Sequence, residues 1–328
     1  DSGRTQALIK EREAQAKAAG LMYDYAKETT ALKITELYLQ LANLEEIAEV
    51  YRQKELFLEA QHTKMELFWK AGRIALDTLE KTRAALAEVR YRNAELAWQQ
   101  LQVRNLLIQL TGERVEKITP VTFKNPVPSQ TSNRADIAAL QEELVAAKER
   151  TKQAKSADGP TVTLDDTLSY TQYPGFSPVK MSIGGKTVVF DQPELQNRLA
   201  LNLQISLYDF GAIKAESEAA RLNELAATAK LQDAKEKQDL ERQTALKSLE
   251  AAAVKLTAAQ HYLTAAQTSF EAARRRFEAQ VSDHVAFLDA LTQHYEAQAL
   301  LVQARNALEL EKARYYYTTG TPIKEMIQ

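Results

Sequence analysis

The chain has 328 residues, a net charge of −2 and a pI of about 6.2. That balance gives no electrostatic footprint for nucleic acid. There is no cysteine, which excludes disulfides and thiolate chemistry and fits either the periplasm or the cytosol. Most of the 10 Gly and 8 Pro fall between residues 112 and 193. The rest is rich in Ala, Leu, Glu, Gln, Lys and Arg, the composition of long helices. No run of about 18 apolar residues offers a transmembrane helix. The chain opens on Asp1 without Met, and a trimmed N-terminus is the expectation.

In chain order, residues 1–112 read as a helical hairpin. A helix over about 4–70 meets a break at Ala71-Gly72-Arg73, and a return helix ends at Gly112, where glycine suits a C-terminal cap. At 1.5 Å per residue the long helix spans about 100 Å, far beyond a globular helix. Residues 113–135 hold Pro120, Pro126 and Pro128 and read as a connection. A helix from Asn133 to about Lys155 fills the leading segment 136–157, with Ile137, Leu140, Leu144 and Ala147 on one face. Asp158-Gly159-Pro160 ends it.

Residues 158–210 read as a β-hairpin. One strand, 161–173, sets Val162, Leu164, Leu168 and Tyr170 against Thr163, Asp165, Thr167, Ser169 and Thr171, with Asp166 spoiling the apolar face. The other, 198–207, sets Leu199, Leu201, Leu203, Ile205 and Leu207 against Ala200, Asn202, Gln204 and Ser206. Period-two alternation marks strands with one apolar and one polar side. The loop 174–197 is expected to hold a small hairpin at Gly184-Gly185. Residues 211–320 form a second helical hairpin. Its long helix covers about 212–279, its break is Ala279-Gln280-Val281-Ser282, and its return helix carries Ala290, His294, Ala297, Leu301, Ala304 and Leu308. A tail, 321–328, follows.

The two hairpins are copies. Asp1-Ser2-Gly3 and Asp209-Phe210-Gly211 stand 208 residues apart, and so do Thr111-Gly112 and Thr319-Gly320. The apolar register shares the offset. Ala245, Leu249, Ala252, Leu256, Ala259, Leu263, Ala266, Phe270, Ala273 and Phe277 step by four and three. Their counterparts are Leu37, Leu41, Leu44, Ala48, Tyr51, Glu55, Leu58, His62, Met65 and Trp69. Only Glu55 and His62 interrupt that seam. A sustained four–three alternation calls for a left-handed supercoil against partner helices. The repeat also predicts a helix and two strands ahead of Asp1, to match the 73 residues of 136–208.

Strands of about 10 residues with an apolar and a polar side suit a transmembrane β-barrel, with lipid on one side and a wet lumen on the other. Tyr170, Tyr173 and Phe176, and Tyr208 and Phe210, stand where aromatic girdles would lie. A two-stranded hairpin on a soluble core fits the alternation equally well. Open strand edges cannot survive in lipid, so a membrane reading requires more strands or more copies.

Three motifs resemble the TolC-type outer-membrane efflux family. Leu207-Tyr208-Asp209-Phe210-Gly211 resembles its exit from strand to helix. Asn133-Arg134-Ala135-Asp136-Ile137 resembles its second-repeat start, with Ala135 in place of Pro. Arg276-Phe277-Glu278-Ala279-Gln280-Val281-Ser282 resembles its hairpin tip, with Gln280 where Gly is usual. The resemblance covers essentially the whole chain. It implies a mainly α fold with a small β part: long antiparallel coiled-coil hairpins in an α-barrel, plus transmembrane β-barrel strands. It further implies a homotrimer in the outer membrane, with helices in the periplasm. Its partners would be a periplasmic adaptor and an inner-membrane transporter. Adaptor-contact tips then fall at Ala71, Gly72, Arg73 and Ile74, and at Ala279, Gln280, Val281 and Ser282. The lipid-facing strand is Leu199, Leu201, Leu203, Ile205 and Leu207. A periplasmic gate of acids falls at Asp289, with Asp283 close by and Ala286 at the other family position. Three copies of one carboxylate on an axis repel anions and favour cations; a solvated helix acid is the plain alternative.

Other chemistry is not supported. Gly184-Gly185-Lys186-Thr187 lacks the first glycine of a phosphate loop, since position 180 is Lys180. His62, His261, His284 and His294 have no ligand spacing, so no metal and no cofactor are expected. His62 and His294 read as hydrogen-bonded packing histidines, and His284 as exposed at the tip. Arg274-Arg275-Arg276 reads as a solvated face or an adaptor contact. No catalytic residue can be nominated. An exit duct for small molecules or proteins is the leading reading. A soluble coiled-coil scaffold and a pore-forming toxin are the alternatives.

Overall fold

The computed structural model describes residues 1–115, 117–127, 133–171, 179–190, 195–279 and 283–328. The elements are α1 (Arg4–Lys70), α2 (Leu76–Thr111), α3 (Ala135–Ser156), β1 (Thr161–Tyr170), β2 (Val179–Ile183), β3 (Lys186–Phe190), β4 (Leu195–Gln204), α4 (Ala212–Glu278) and α5 (His284–Thr318). A short 3-10 turn, Ile323–Met326, ends the chain. The repeat is visible in the lengths: α1 and α4 each have 67 residues, and α2 and α5 have 36 and 35. Contacts divide the chain into two compact units, Asp1–Ala19 with Ala139–Gln232, and Gly20–Ala138 with Asp233–Gln328.

The first unit holds the strands and the helix ends next to them. Both long helices start with the same cap. Asp1 accepts from the backbone N–H of Gly3 (3.2 Å) and Thr5 (2.9 Å), and Asp209 from Gly211 (3.0 Å) and Ile213 (2.5 Å). These bonds satisfy N–H groups that a helix start leaves unpaired. The residue after each Asp turns left-handed, Ser2 at φ 54° and Phe210 at φ 57°. β1 and β4 pair antiparallel from Thr161↔Gln204 to Tyr170↔Leu195. The ladder ends at Thr161↔Gln204 because the residue before Thr161 is Pro160, which has no N–H to give. Gly159 is fixed by crowding: a Cβ on it would lie 2.2 Å from Ser2 Oγ. β2 and β3 form the small hairpin expected at Gly184-Gly185, both at positive φ. α3 is held to α4 by Thr151 Oγ1 donating to Ala220 O (3.2 Å) and by Lys230 with Glu143 (3.1 Å).

The second unit is built from antiparallel hairpins. α2 returns along α1, with Leu37, Leu41 and Leu44 packed on Leu96, Val103 and Leu107. Farther along, Leu58 meets Leu86, Val89 and Leu291. Glu55, which interrupts the seam, accepts from Arg90 Nε (3.0 Å) and Asn93 Nδ2 (2.6 Å), so its charge is paired where it is half-buried. α4 buries Ala245, Ala252, Ala259, Ala266 and Ala273, one every seven residues. The connection docks through Phe123. Its N–H donates to Glu309 Oε2 (2.7 Å) and its carbonyl accepts from Lys312 Nζ (3.2 Å), while the ring packs with Leu39, Tyr316 and Ile323.

Three boundaries differ from expectation. The first strand ends at Tyr170, with Thr171 outside it, and Tyr173 and Phe176 lie outside the described residues. The leading helix starts at Ala135, after Arg134 rather than at Asn133. The second strand begins at Leu195, three residues early, and ends at Gln204, so Ile205 and Leu207 lie past the ladder although both are exposed.

Candidate functional site

The first hairpin tip closes with a tight turn. Gly72 at φ 69° lets its N–H reach Trp69 O (2.9 Å) and lets Arg73 N–H reach Phe68 O (2.8 Å), which satisfies the last carbonyls of α1. Ala71, Gly72 and Arg73 are exposed and Ile74 is half-buried. At the second tip Ala279 is exposed, while Gln280, Val281 and Ser282 lie outside the described residues.

The second tip is tied to α2. His284, the first residue of α5, is 5% exposed. This corrects the expectation of an exposed tip histidine. Its Nε2 lies 2.7 Å from Thr82 Oγ1, which itself donates to Thr78 O at 3.2 Å. A hydroxyl has one hydrogen, so both bonds coexist only if His284 Nε2–H is the donor. Nδ1 is then a bare acceptor, buried and without a partner among the described residues. Phe277 and Phe287 stack at 4.9 Å, and Phe277 meets the His284 ring at 5.1 Å. Nearly three turns farther along, His294 lies flat on Phe270 (5.2 Å, 9°) and its Nε2 is 3.0 Å from Gln298 Nε2. Burial lowers the pKa of both histidines, because the charged ring would lose its water; Asp283 opposes the shift at His284 and Lys81 adds to it, while Glu271 opposes it at His294. His62 is half-buried and makes no hydrogen bond among the described residues. Lys54, which sequence reasoning passed over, is 4% exposed and lies 3.4 Å from Thr292 Oγ1; burial lowers its pKa.

The two acids expected at a gate, Asp283 and Asp289, are exposed. Asp283 is the N-cap of α5, with no side-chain cap bond. Asp289 follows the buried Phe287 and precedes the buried Ala290 and Leu291, on the open side of the helix. Neither carboxylate has a side-chain hydrogen bond or an ion pair among the described residues.

The strand pair has two unlike faces. Val162–Leu203, Leu164–Leu201, Asp166–Leu199, Leu168–Asn197 and Tyr170–Leu195 pair on one, and Thr163–Asn202, Asp165–Ala200, Thr167–Arg198 and Ser169–Gln196 on the other. Asn202 Nδ2 donates to Asp165 Oδ2 (2.6 Å) across the polar face. On the apolar face Leu164, Leu168, Leu199 and Leu201 are 68 to 72% exposed. Fully burying one such side chain is worth about 1.5–3 kcal/mol. Eight of them left wet would forgo on the order of 10–20 kcal/mol, as much as the stability of a whole domain. An apolar medium covering this face removes that cost.

The model of the outer membrane efflux protein family matches residues 128–321, more than half of the chain. The chain belongs to the outer membrane efflux protein family. This efflux-family chain is 24% identical over 326 residues to outer membrane protein TolC of Salmonella enteritidis, covering 94% of the chain and 65% of that protein. It therefore spans about two thirds of the curated relative's length. Among solved structures it resembles the outer membrane protein VceC of Vibrio cholerae (TM-score 0.82, 18% identity, 98% of this chain and 77% of that one). It also resembles the open state of the MtrE outer membrane channel of Neisseria gonorrhoeae (TM-score 0.83, 18% identity, 98% and 72%). The fold is TolC-like. Family membership places the chain at the outer membrane, with its helical part in the periplasm.

The efflux-family motif at Arg134 has a physical role that spacing did not reveal. Arg134 is 8% exposed and grips both Asp136 oxygens (2.7 and 2.8 Å) and Glu241 (2.7 Å). Its guanidinium lies 5.7 Å from the ring centres of both Tyr25 and Tyr317. Burial works against its charge, but the two carboxylates hold its pKa above the ordinary value. Tyr317, half-buried beside it, is pushed up to about 12 by its partial loss of water. Among the described residues no group of His, Asp and Glu could hold a metal ion.

Proposed function

We propose that the chain is one protomer of an outer-membrane exit duct, a gated passive conduit for small molecules or proteins rather than an enzyme. The observation that carries this is the strand pair whose apolar face is bare and whose strand β4 leads into the 67-residue helix α4. A bare apolar face fits lipid, and the polar face with Thr163, Asn202 and Arg198 fits a wet lumen. In lipid the free edges of β1 and β4 must be paired, so several copies close one barrel. Three copies are the family's arrangement. The helices then continue the wall into the periplasm. Their tips at Ala71–Ile74 and 279–282 meet a periplasmic adaptor, and an inner-membrane transporter supplies the energy. Asp289, with Asp283, lines the periplasmic mouth and favours cations.

The test is the mass of the full-length protein extracted from membranes in detergent. A trimer recovered from the outer-membrane fraction is the expected result. A water-soluble monomer that never partitions into that fraction would overturn the reading and favour the coiled-coil scaffold.

A further inference from the structure

The unit that carries the strands also holds a cavity. Its volume is about 380 Å³, in the size range of ligand sites, and it lies where the first turns of α1, the last turns of α3 and the first turns of α4 meet. Three arginines line it, Arg4 and Arg12 from α1 and Arg150 from α3. Arg4 and Arg150 have no hydrogen bond and no ion pair among the described residues, and Arg12 has only the neutral amide of Gln15, at 2.9 Å. We propose that this cavity is a binding site for a phosphodiester, held by the three guanidinium groups.

The sequence leaves these arginines without their usual partners. On a helix an arginine finds its acid three or four residues away. Arg52, Arg83, Arg92 and Arg221 do so here, each with a glutamate. Around Arg12 and Arg150 those positions hold only Ala, Leu, Ile and Gln, and after Arg4 they hold Ala7 and Leu8. The one acid at that spacing, Asp1, is occupied in capping α1 through Gly3 and Thr5. Gln15 and Gln153 each stand three residues after their arginine and line the same cavity, where they add amide donors without adding charge.

Charge sets the class of ligand. Glu11, which is buried, and Glu216 also line the cavity, so three positive groups face two negative ones and one positive charge is left over. A phosphodiester carries a single negative charge, whereas a phosphomonoester carries about 1.5–2 at neutral pH. Each guanidinium presents paired N–H donors that match two phosphate oxygens. Leu8, Ala154 and Ala219 give the wall apolar patches for the carbon on either side of a diester. The cavity also stands at the foot of the strands. Ser2 Oγ donates to Pro160 O (3.2 Å), which fixes the start of α1 beside the start of β1, and Arg4 is the first residue of α1. A diester can arrive as a soluble glycerophosphodiester or as the headgroup of a phospholipid, a group that basic pockets recognise. The lipid source rests on the duct reading, which puts the foot of the strands at headgroup level. The cavity and its charge do not.

The experiment uses the full-length protein in detergent. Calorimetry measures glycerophosphoglycerol, a soluble diester, and glycerol 3-phosphate, a monoester. Native mass spectrometry counts the phosphatidylglycerol retained per protomer. A diester should bind, and the monoester more weakly. Each of Arg4→Gln, Arg12→Gln and Arg150→Gln should weaken diester binding about tenfold, as for one charged hydrogen bond lost. The control R275Q/R276Q removes charge from the far end of α4 and should leave binding unchanged. Binding of the soluble diester assigns a free phosphodiester, and retention of the lipid alone assigns the headgroup; either supports the site. No binding of either diester overturns it. So does a preference for the monoester, binding that survives R4Q/R12Q/R150Q, or an equal loss in R275Q/R276Q. Conductance of the same protein keeps the two readings apart: its absence sinks the duct, while the titrations still decide the cavity.

Discussion

The two hairpins share one backbone plan and use different side chains at its deepest positions. In the first copy the heptad positions 37, 44, 51, 58 and 65 hold Leu, Leu, Tyr, Leu and Met. In the second copy the same positions are Ala245, Ala252, Ala259, Ala266 and Ala273, all buried. Large residues at a seam hold helix axes apart and supply apolar area. Alanine lets the axes come close but supplies little area of its own. The second copy therefore leaves its larger residues, Leu249, Leu256 and Leu263, half-buried beside the alanines. The difference teaches that the duplication preserved register and caps, as the matched bonds of Asp1 and Asp209 show, and let packing diverge.

The largest effect should come from breaking the tie between the copies. Arg134→Ala leaves Asp136 and Glu241 facing each other without their cation between Tyr25 and Tyr317. It should cost about 3–5 kcal/mol in denaturant unfolding. Next comes Leu58→Ala, which gives the first seam the residue its counterpart Ala266 has. Leu58 is 0% exposed, and the cavity should cost about 2–5 kcal/mol. The reverse exchange, Ala266→Leu, overfills the close-packed seam and should cost about 1–3 kcal/mol. If the two exchanges had equal and negligible effects, the contrast between the seams would be empty. The smallest effect belongs to the surface: Glu46→Gln removes the partner of Arg305, whose side chain is 55% exposed, and should change stability by no more than about 1 kcal/mol.

Much of this was legible in the sequence, for reasons of periodicity. The 4–3 seam, the matched 208-residue offset and the alternation in β1 and β4 depend only on neighbours a few residues apart. What escaped depends on distant partners. Nothing near His284 announces Thr82, 202 residues earlier, so a residue beside a turn read as exposed. Arg134 stood out as a motif, but its partner Glu241 stands 107 residues farther on and its partner Tyr25 comes from the first copy. The strand end at Gln204 was legible in principle. Its ladder partner follows Pro160, and tracing the register to that proline stops β4 before Ile205 and Leu207.

The central claim is that this chain forms the wall of a conduit, and conductance tests it most directly. Full-length protein reconstituted into planar lipid bilayers should give discrete, cation-favouring channel openings, with the cation preference reduced in Asp289→Asn. A protein that inserts and trimerises yet passes no ions at any pH or voltage would contradict the account.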